Sequence, residues 1–329
     1  MKAIIPVAGV GERLRPFTQT IPKPLLPVAG KPILAHIIDE LIEVGIREYI
    51  LVVGHLSRQV RDFISERYDD SIKVDFVFQE KLLGLGYAVM LAMEHVAEDE
   101  PVLIILGDTI VKTDIKALIS SESNALGLKE VDDPRRFGVA EIDGKKIISV
   151  EEKPDNPKTN WAVTGVYFIN DTKLLDISLK ELWEKRHLNR GELQLTDALA
   201  QMIDDGRPFT WVKIIDWFDC GTAKSLLQTN QLLLDIQAEL HDIEGSLIIP
   251  PVAIADTAEV TNSVIGPYVS IGPDARINRC IISDSILGAG ASVCTAILRE
   301  TVIGNRAFYQ GAPGQVTLGD WSIVKEKSE

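Results

Sequence analysis

A glycine-rich segment near the start of the chain carries the residue types best suited to bind phosphate. Residues 8–16 read Ala-Gly-Val-Gly-Glu-Arg-Leu-Arg-Pro, and Pro22-Lys23-Pro24 follows them. Glycines after a strand let backbone amides approach phosphate oxygens, and Arg13 and Lys23 can neutralise the charge there. The segment is neither a Walker loop nor a dinucleotide fingerprint, because it lacks Gly-Lys-Ser/Thr and Leu14 stands where a third glycine belongs. It predicts a site for a polyphosphate.

The distribution of charge favours a small anionic ligand. The 329 residues carry a formal net charge of −14, which argues against nucleic acid or an anionic membrane as a general partner. Residues 1–35 are the exception, because they contain five lysines and arginines and only one acidic residue, Glu12. A basic segment in an acidic chain indicates a ligand such as a nucleotide, with a solvated basic face as the alternative.

The elements that must position this segment follow from apolar periodicity. Short apolar runs recur between residues 3 and 106, at Ala3–Ala8, Tyr49–Val53, Val74–Phe78 and Val102–Leu106. Between them lie helical stretches, one opened by Pro32 and closed by Gly45. Buried strands that alternate with helices predict an α/β fold with a mostly parallel sheet. Ligands bind beyond the carboxyl ends of such strands, so residues 9–24, 79–86 and 107–108 should form the site.

A near-hexapeptide repeat replaces the helical pattern after about residue 245. An aliphatic or aromatic residue recurs every five or six positions, at Ile254, Val260, Ile265, Ile271, Ile277, Ile282, Leu287, Val293, Leu298, Ile303 and Tyr309. This period predicts a parallel β-helix of about three coils, with an ordinary meander as the alternative because the period slips. The helical stretch Lys224–Leu240 ends the first part of the chain. We therefore expect domains at residues 1–242 and 246–329.

Seven motifs follow the glycine-rich segment. They are Gln79 with Gly84-Leu85-Gly86-Tyr87-Ala88-Val89, Leu106-Gly107-Asp108, Arg136-Phe137-Gly138-Val139, Val150-Glu151-Glu152-Lys153-Pro154, Asn160 to Phe168, Arg190 to Asp197, and Trp217-Phe218-Asp219-Cys220-Gly221-Thr222. Together they resemble the sugar-1-phosphate nucleotidylyltransferases, and the last three are most similar to the glucose-1-phosphate thymidylyltransferases. The resemblance covers roughly residues 1 to 240. It implies a Rossmann-like nucleotidyltransferase domain, and with the repeats a short left-handed parallel β-helix after it.

The resemblance also implies a reaction and a role for each site residue. A sugar-1-phosphate oxygen would attack the α-phosphorus of dTTP or UTP and expel pyrophosphate, the sugar being a hexose such as glucose. Arg13 and Lys23 would be catalytic, holding the triphosphate and stabilising the transferring group. The nucleotide would lie against Ala8, Gly9, Gly11, Gln79, Gly84 and Asp108. The sugar phosphate would lie against Gly138, Glu152, Lys153, Val163 and Thr164.

A metal role is likewise implied by the resemblance. Asp108 and Asp219 lie far apart in the chain, yet the family brings both to one Mg²⁺ ion. Hard carboxylate oxygens suit Mg²⁺, which usually takes one or two of them from the protein. Taken singly, Asp108 fits a helix cap and Asp219 a turn equally well.

Some features leave the interpretation open. Val10 and Glu12 depart from the family pattern, and a carboxylate at Glu12 would repel a triphosphate unless it turns outward or pairs with Arg15. The first strand and Gly84-Leu85-Gly86 are also similar to bacterial uridylyltransferases that make UDP-glucose. One methyl separates uracil from thymine and is worth only about 1–3 kcal/mol, so dTTP and UTP both remain possible.

Other function classes are less favoured. A related non-catalytic subunit of an assembly would not need Arg13, Lys23, Asp108, Lys153 and Asp219 together. A histidine-based acyltransferase in the repeats is disfavoured, since no histidine follows His241. We therefore expect the repeats to serve assembly into a homo-oligomer.

The histidines and cysteines predict no metal site and no disulfide framework. The five histidines show no metal-ligand spacing, at His36, His55, His95, His187 and His241. The three cysteines form no Cys-x-x-Cys pair, which fits a reducing compartment. Early charges interrupt any signal-peptide core, so the sequence predicts a cytoplasmic protein.

Overall fold

A computed structural model of the chain describes residues 1–189, 191–236, 241–311 and 317–325. Contacts group these residues into two units. The first holds Met1–Gly9 and Ile37–Trp217, and the second holds Val10–His36 and Phe218–Glu329. Residues 10–16 of the glycine-rich segment thus belong to the same unit as the repeats. The predicted domain boundaries, at residues 1–242 and 246–329, stay a prediction.

The elements before residue 237 alternate between strand and helix. The strands are β1 (Lys2–Pro6), β2 (Pro27–Val28), β3 (Lys31–Pro32), β4 (Glu48–Val53), β5 (Lys73–Phe78), β6 (Val102–Ile105), β7 (Thr109–Lys112), β8 (Asn124–Glu130), β9 (Gly138–Asp143), β10 (Lys146–Glu152), β11 (Trp161–Ile169), β12 (Phe209–Lys213) and β13 (Asp216–Asp219). The α-helices are α1 (Ile33–Glu43), α2 (Ser57–Tyr68), α3 (Leu85–Met93), α4 (Ile115–Ile119), α5 (Thr172–Glu184), α6 (Leu195–Asp204) and α7 (Ala223–Ile236).

A nine-stranded sheet forms the centre of the first unit. Its strand order is β5-β4-β1-β6-β11-β8-β12-β10-β9. The strands β5, β4, β1 and β6 are parallel to one another, as the apolar runs predict. The far half is mixed, because β11 is antiparallel to both neighbours and β9 and β10 form a hairpin. Gly144 turns that hairpin at φ +58°. The expectation of a mostly parallel sheet therefore holds only for the half that starts the chain.

Local sequence explains the first elements. Ala3, Ile4 and Ile5 are fully buried in β1, because the strand has neighbours on both edges and α3 packs against it. Helix α1 begins directly after Pro32, and Gly45 ends it with φ +93° and a hydrogen bond from its N–H to the Ile42 carbonyl. The predicted helix is confirmed. The continuation of α7 to Leu240 falls on residues 237–240, which lie outside the described residues.

The repeats form a parallel β-helix in the second unit. Its strands are β14 (Leu247–Ile248), β15 (Val252–Ile254), β16 (Glu259–Thr261), β17 (Val264–Ile265), β18 (Val269–Ile271), β19 (Arg276–Asn278), β20 (Ile281–Ser283), β21 (Ser285–Leu287), β22 (Ser292–Cys294), β23 (Ile297–Arg299), β24 (Val302–Ile303), β25 (Phe308–Gln310), β26 (Thr317–Leu318) and β27 (Ile323–Lys325). They stack into three sheets, β14-β17-β20-β23, β15-β18-β21-β24-β26 and β16-β19-β22-β25-β27.

The repeat positions predicted from the sequence are confirmed as the core of this β-helix. All eleven, from Ile254 to Tyr309, are at most 8% exposed and lie in one apolar cluster. The number of coils was underestimated, however, because the sheets contain four, five and five described strands. The extra strands at 247–248 and 317–325 flank the regular part of the pattern. Their outer residues are exposed, so apolar periodicity weakens there.

One face of the β-helix is covered within its own unit. The Asn230 side chain on α7 accepts hydrogen bonds from the Ala29 amide at 2.9 Å and the Ser270 hydroxyl at 2.6 Å. The side-chain NH₂ group of Asn230 donates to the Tyr268 carbonyl at 3.2 Å. The residues 17–27 that follow the glycine-rich segment also line a small cleft with Ile286 and Val302. Helix α7 and the segment around residues 10–36 therefore share a core with the repeats.

The described residues include no helix with both the length and the apolar character needed to cross a membrane.

Candidate active site

The loops that follow three parallel strands of the first unit, β1, β4 and β6, lie at one edge of the sheet. A Cβ on Gly54, after β4, would lie 2.8 Å from the Ala8 carbonyl oxygen. After β6, the Gly107 amide donates to the Pro6 carbonyl at 3.3 Å, and a Cβ there would lie 2.8 Å from that oxygen. These close approaches require glycine at both positions. They place Asp108 beside the loop that holds Ala8 and Gly9, where the sequence predicts nucleotide binding.

Gln79 and Gly84 form a second part of the first unit's site. The Gln79 side chain is 5% exposed, and its amide donates to the Lys81 carbonyl at 3.1 Å. Gly84 has φ +102° and precedes α3. Any side chain at Gly84 would collide with the backbone at Leu193, whose N–H donates to the Leu83 carbonyl at 2.7 Å. The glycine is therefore required for the loop that follows Gln79 to meet the segment at Leu193.

Glu152 and Lys153 lie together at the end of β10. The Glu152 carboxylate accepts a hydrogen bond from the Thr196 hydroxyl at 2.7 Å and contacts the Lys153 ammonium at 3.0 Å. Lys153 adopts φ +45°, a left-handed conformation that costs a lysine roughly 1–2 kcal/mol. Its amide donates to the Phe137 carbonyl at 3.0 Å, which holds this conformation next to Gly138. A Cβ on Gly138 would lie 3.3 Å from both the Glu152 carboxylate and the Thr196 hydroxyl.

An irregularity in β11 interrupts its pairing with β8 near these groups. The pairing of β11 with β8 shifts register between Val163 and Tyr167. The Thr164 side chain turns toward the sheet and donates to the Gly127 carbonyl at 2.9 Å. Gly165 has φ +85°, and its carbonyl accepts from the Leu106 amide at 3.0 Å. The backbone at Val163 and Thr164 is thereby tied to the loop that carries Asp108.

Glu152 and Lys153 line a polar cavity of the first unit. It has a volume of about 230 Å³ and is lined by Glu152, Lys153, Asn189, Glu192 and Gln194. Its lining combines the Lys153 ammonium with the carboxylates of Glu152 and Glu192 and two carboxamides. This mixture of donors and acceptors suits a phosphorylated polyol, because hydroxyls need both. Burial raises the pKa of nearby Tyr167 and Asp197, and the Glu152 charge adds to each effect. The His187 imidazole opposes the rise at Asp197.

The second unit holds residues 10–16 of the glycine-rich segment. Gly11 has φ +62°, and its carbonyl accepts from the Thr18 hydroxyl at 2.8 Å. A Cβ on Gly11 would lie 3.2 Å from the Lys23 Cβ, so the glycine lets Lys23 approach. Lys23 is 9% exposed. Glu12 faces solvent and pairs with Arg15 at 3.6 Å, which is one of the two ways in which it can avoid repelling a phosphate.

Arg13 and Asp219 converge on Gly221 in the same unit. A Cβ on this glycine would lie 2.8 Å from an Arg13 guanidinium nitrogen and 2.8 Å from an Asp219 carboxylate oxygen. Both side chains would have to move if any larger residue replaced it. A basic group and a carboxylate are thus brought together from segments about two hundred residues apart.

The predicted residues fall into two groups, one in each unit. The first unit carries Ala8, Gly9, Gln79, Gly84, Asp108, Gly138, Glu152, Lys153, Val163 and Thr164, and the second carries Gly11, Arg13, Lys23 and Asp219. Thr196, Gly221, Asn189, Glu192 and Gln194 were missed as site residues. Four of the five lie within the recognised motifs, so the motifs themselves held the signal. Arg190 lies outside the described residues.

The histidines and cysteines add no further centre. Among residues 1–189, 191–236, 241–311 and 317–325, no three His, Cys, Asp or Glu side chains are grouped to hold a metal. His36 contacts the Val28 carbonyl at 2.8 Å within the core. Cys220, Cys280 and Cys294 take part in no disulfide within the described part of the chain. The Mg²⁺ site at Asp108 and Asp219 stays a prediction.

Together, the fold and the polar cavity define a nucleotidyltransferase. Residues 2–236 match the Nucleotidyl transferase family, and residues 237–293 match the GlmU-like C-terminal hexapeptide family. The chain therefore belongs to the nucleotidyl transferase family. It is a sugar-1-phosphate nucleotidyltransferase that carries hexapeptide repeats, which sets aside the non-catalytic alternative.

Similar proteins support this assignment along the whole chain. The low-salt glycan biosynthesis nucleotidyltransferase Agl11 of Haloferax volcanii is 31% identical, over 100% of this chain and 99% of its own. A glucose-1-phosphate thymidylyltransferase of Streptomyces griseus is 30% identical over 100% of both chains. A Bacillus anthracis crystal structure, provisionally named glucose-1-phosphate thymidylyltransferase, is 34% identical with a TM-score of 0.65 and covers 73% of this chain and 98% of its own.

Proposed function

We propose that this protein transfers a nucleotidyl group from dTTP or UTP to glucose 1-phosphate, forming a nucleotide sugar and pyrophosphate. The polar cavity carries the proposal, because Lys153 offers one cation for a phosphate beside the fixed carboxylate of Glu152. The similarity over full length to the Streptomyces griseus thymidylyltransferase supports the choice of sugar and base.

The sugar phosphate is the nucleophile in this reaction. One of its phosphate oxygens forms a bond to the α-phosphorus, while the bond from that phosphorus to the bridging oxygen of the pyrophosphate breaks. The attacking oxygen is already ionised at neutral pH, so no general base is needed. Lys153 binds this phosphate, and Glu152 accepts from a sugar hydroxyl. Holding both reactants in line supplies much of the rate enhancement.

The basic residues of the second unit act on the nucleotide. Lys23 and Arg13 neutralise the triphosphate and the charge that builds on the transferring group. Gly11 leaves its backbone open to phosphate oxygens, as its left-handed conformation supports. These roles need a permanent positive charge, which lysine and arginine keep at neutral pH.

Gln79 reads the base in this proposal. Its buried amide can donate and accept at the edge of a pyrimidine, with the backbone at Gly84 beside it. Thymine and uracil present the same hydrogen-bonding groups on that edge. We therefore expect both dTTP and UTP to react.

The metal that the resemblance implies at Asp108 and Asp219 is Mg²⁺. Both offer carboxylate oxygens, and the Thr109 hydroxyl donates to Asp108 at 3.2 Å, which orients one of them. When bound, Mg²⁺ screens the negative charge of the triphosphate. Asp108→Asn and Asp219→Asn should each weaken Mg²⁺-dependent nucleotide binding, measured by calorimetry with and without the ion. Unchanged binding in either variant would remove that residue from the metal site.

Pyrophosphate release with a panel of substrates tests the proposed function. The panel pairs dTTP, UTP, ATP, CTP and GTP with glucose, glucosamine, N-acetylglucosamine, mannose and galactose 1-phosphates. We expect the highest kcat/KM for a pyrimidine triphosphate with glucose 1-phosphate. A preference of tenfold or more for a purine triphosphate or for another sugar would refute the specific assignment and leave the class intact.

A further inference from the structure

Residues 16–30 lie along one face of the β-helix in the second unit. Their buried apolar side chains line a cleft with β21 and β24, and these side chains are Phe17, Ile21 and Leu26. At one end, a Cβ on Gly30 would lie 3.1 Å from the Ala253 Cβ in β15, the first strand of this sheet. At the other end, a Cβ on Gly319 would lie 2.8 Å from the Pro16 side chain, just after β26. The segment that follows Arg13 is therefore supported from the first described strand of the sheet to the last.

The Asp320 carboxylate joins the end of the β-helix to this segment. One of its oxygens accepts a hydrogen bond from the backbone N–H of Asn305, in the preceding coil, at 2.8 Å. The other oxygen accepts from the Thr20 hydroxyl. Asp320 is partly buried, and hydrogen bonds to a charged acceptor are about twice as strong as those between neutral groups. One side chain thus links two coils and the segment that follows Arg13.

A short series of hydrogen bonds leads from Asp320 to the backbone at Gly11. Residues 17–19 form one turn of 3₁₀-helix, which ends at Thr20 with a bond from its N–H to the Phe17 carbonyl at 3.3 Å. In the same turn, the buried Thr18 hydroxyl donates to the Gly11 carbonyl at 2.8 Å. Gly11 begins the turn that contains Arg13. A shift at Thr20 would therefore move Thr18, and with it the glycine next to this turn.

We propose that Asp320 is a positioning residue for the nucleotide, so that the last coil of the β-helix contributes to catalysis in its own chain. This inference rests on the proposed function, because that function assigns Gly11 and Arg13 to the triphosphate. Asp320 acts through Thr20 and Thr18. A segment that is ordered before the nucleotide arrives loses less conformational freedom on binding, and its donors need no rearrangement during the reaction. Loss of the Asp320 carboxylate should therefore weaken the use of the triphosphate and spare the use of the sugar phosphate.

Steady-state kinetics of the full-length protein test this role. Asp320→Ala should raise KM for the nucleoside triphosphate about tenfold and leave KM for the sugar phosphate within about twofold. Asp320→Asn should stay within about threefold of wild type for both, because its amide oxygen can accept from Asn305 and its NH₂ group can donate to the Thr20 hydroxyl.

Asn305→Ala is the matched control for a purely structural effect. The Asn305 side chain accepts the equivalent bond one coil earlier, from the Ala289 amide at 2.8 Å. Asn305→Ala and Asp320→Ala should lower the melting temperature by similar amounts, but only Asp320→Ala should raise KM for the triphosphate. An equal rise in both variants would reduce Asp320 to a residue that stabilises the β-helix and would overturn the proposal.

Substitutions at Thr20 keep the test decisive if Asp320→Ala fails to fold. Thr20→Val removes the donor of the same bond, so it should also raise KM for the triphosphate about tenfold, whereas Thr20→Ser keeps the hydroxyl and should behave as wild type. The double variant of Thr20→Val with Asp320→Ala should be no worse than either single variant, since both remove one interaction. An unchanged KM in Thr20→Val, or additive effects in the double variant, would refute the positioning role.

Calorimetric binding of dTTP or UTP repeats these comparisons without turnover. A wild type that binds the nucleotide more tightly than Asp320→Ala but transfers it to no sugar phosphate would refute the proposed function and support the positioning role. Wild-type transfer with equal nucleotide affinity in the two proteins would refute the positioning role alone.

Discussion

The Thr196 hydroxyl donates a 2.7 Å hydrogen bond to the Glu152 carboxylate, and this bond fixes the acceptor that faces the polar cavity. Thr196 lies in the first turn of α6, whereas Glu152 ends β10. Removing a hydrogen bond to a charged group costs about 1.5–3 kcal/mol, and Val keeps the shape of Thr. Thr196→Val should therefore lower kcat/KM for the sugar phosphate by about 10- to 100-fold.

Thr196→Ser is the control for that prediction, because it keeps the hydroxyl. It should retain most of the activity. Equal losses in both variants would show that the methyl group, and not the hydrogen bond to Glu152, carries the effect.

Gly221 should be intolerant of even one methyl group. In Gly221→Ala, the new Cβ would lie 2.8 Å from both Arg13 and Asp219 and push them apart. A displacement of about 1 Å in a catalytic site can cost on the order of 10²-fold in rate. We expect turnover to fall by that order with every sugar, while the melting temperature changes little. Wild-type turnover in this variant would show that the two side chains need not meet at Gly221.

Substitutions at Lys153 and Arg13 should change different kinetic constants. Lys153→Ala should raise KM for the sugar phosphate about 10- to 100-fold, because it removes an ammonium group that lines the cavity. Arg13→Ala should depress kcat with every sugar, by on the order of 10²–10³, since it acts on the transferring group. Lys158→Ala is a control, because Lys158 is exposed and pairs with Glu141. An unchanged KM for sugar phosphate in Lys153→Ala would contradict its assigned role.

Asp197 should make stability fall as pH rises. Burial raises its pKa in the folded protein, so the folded state holds this proton more tightly than the unfolded state, where the pKa is about 3.9. The resulting destabilisation is absent well below pH 4 and complete once pH exceeds the folded-state pKa. Asp197→Asn should therefore melt at a higher temperature than wild type at pH 7, with the difference vanishing toward pH 3.5. The exposed Asp204→Asn should show no such trend, and an equal trend in both would contradict the assignment.

Strong local patterns predicted much of the fold. The four apolar runs became β1, β4, β5 and β6, and the repeat positions became the β-helix core, because burial and periodicity act over a few residues. The mixed half of the sheet was not predicted. Its strand order depends on pairings between distant segments, which leave no periodic trace in the sequence.

The sequence predicted which residues belong to the site, but it did not predict which of them lie in contact. Arg13 and Asp219 were recognised from their motifs, but their meeting at Gly221 depends on how two distant segments pack. The sequence also suggested that the repeats stand apart from the chemistry. In the structure, the segment that holds Arg13 and Lys23 shares a unit with them, and Ala29 bonds to the same Asn230 that contacts Ser270.

Isotope transfer with wild-type enzyme tests the central claim most directly. Glucose 1-phosphate carrying ¹⁸O between C1 and phosphorus is incubated with dTTP or UTP, and the products are identified by mass spectrometry. Because a phosphate oxygen attacks the α-phosphorus, the labelled C1–O bond should survive, giving one labelled nucleotide sugar for each pyrophosphate released. Loss of the label, or pyrophosphate without a nucleotide sugar, would contradict nucleotidyl transfer to glucose 1-phosphate.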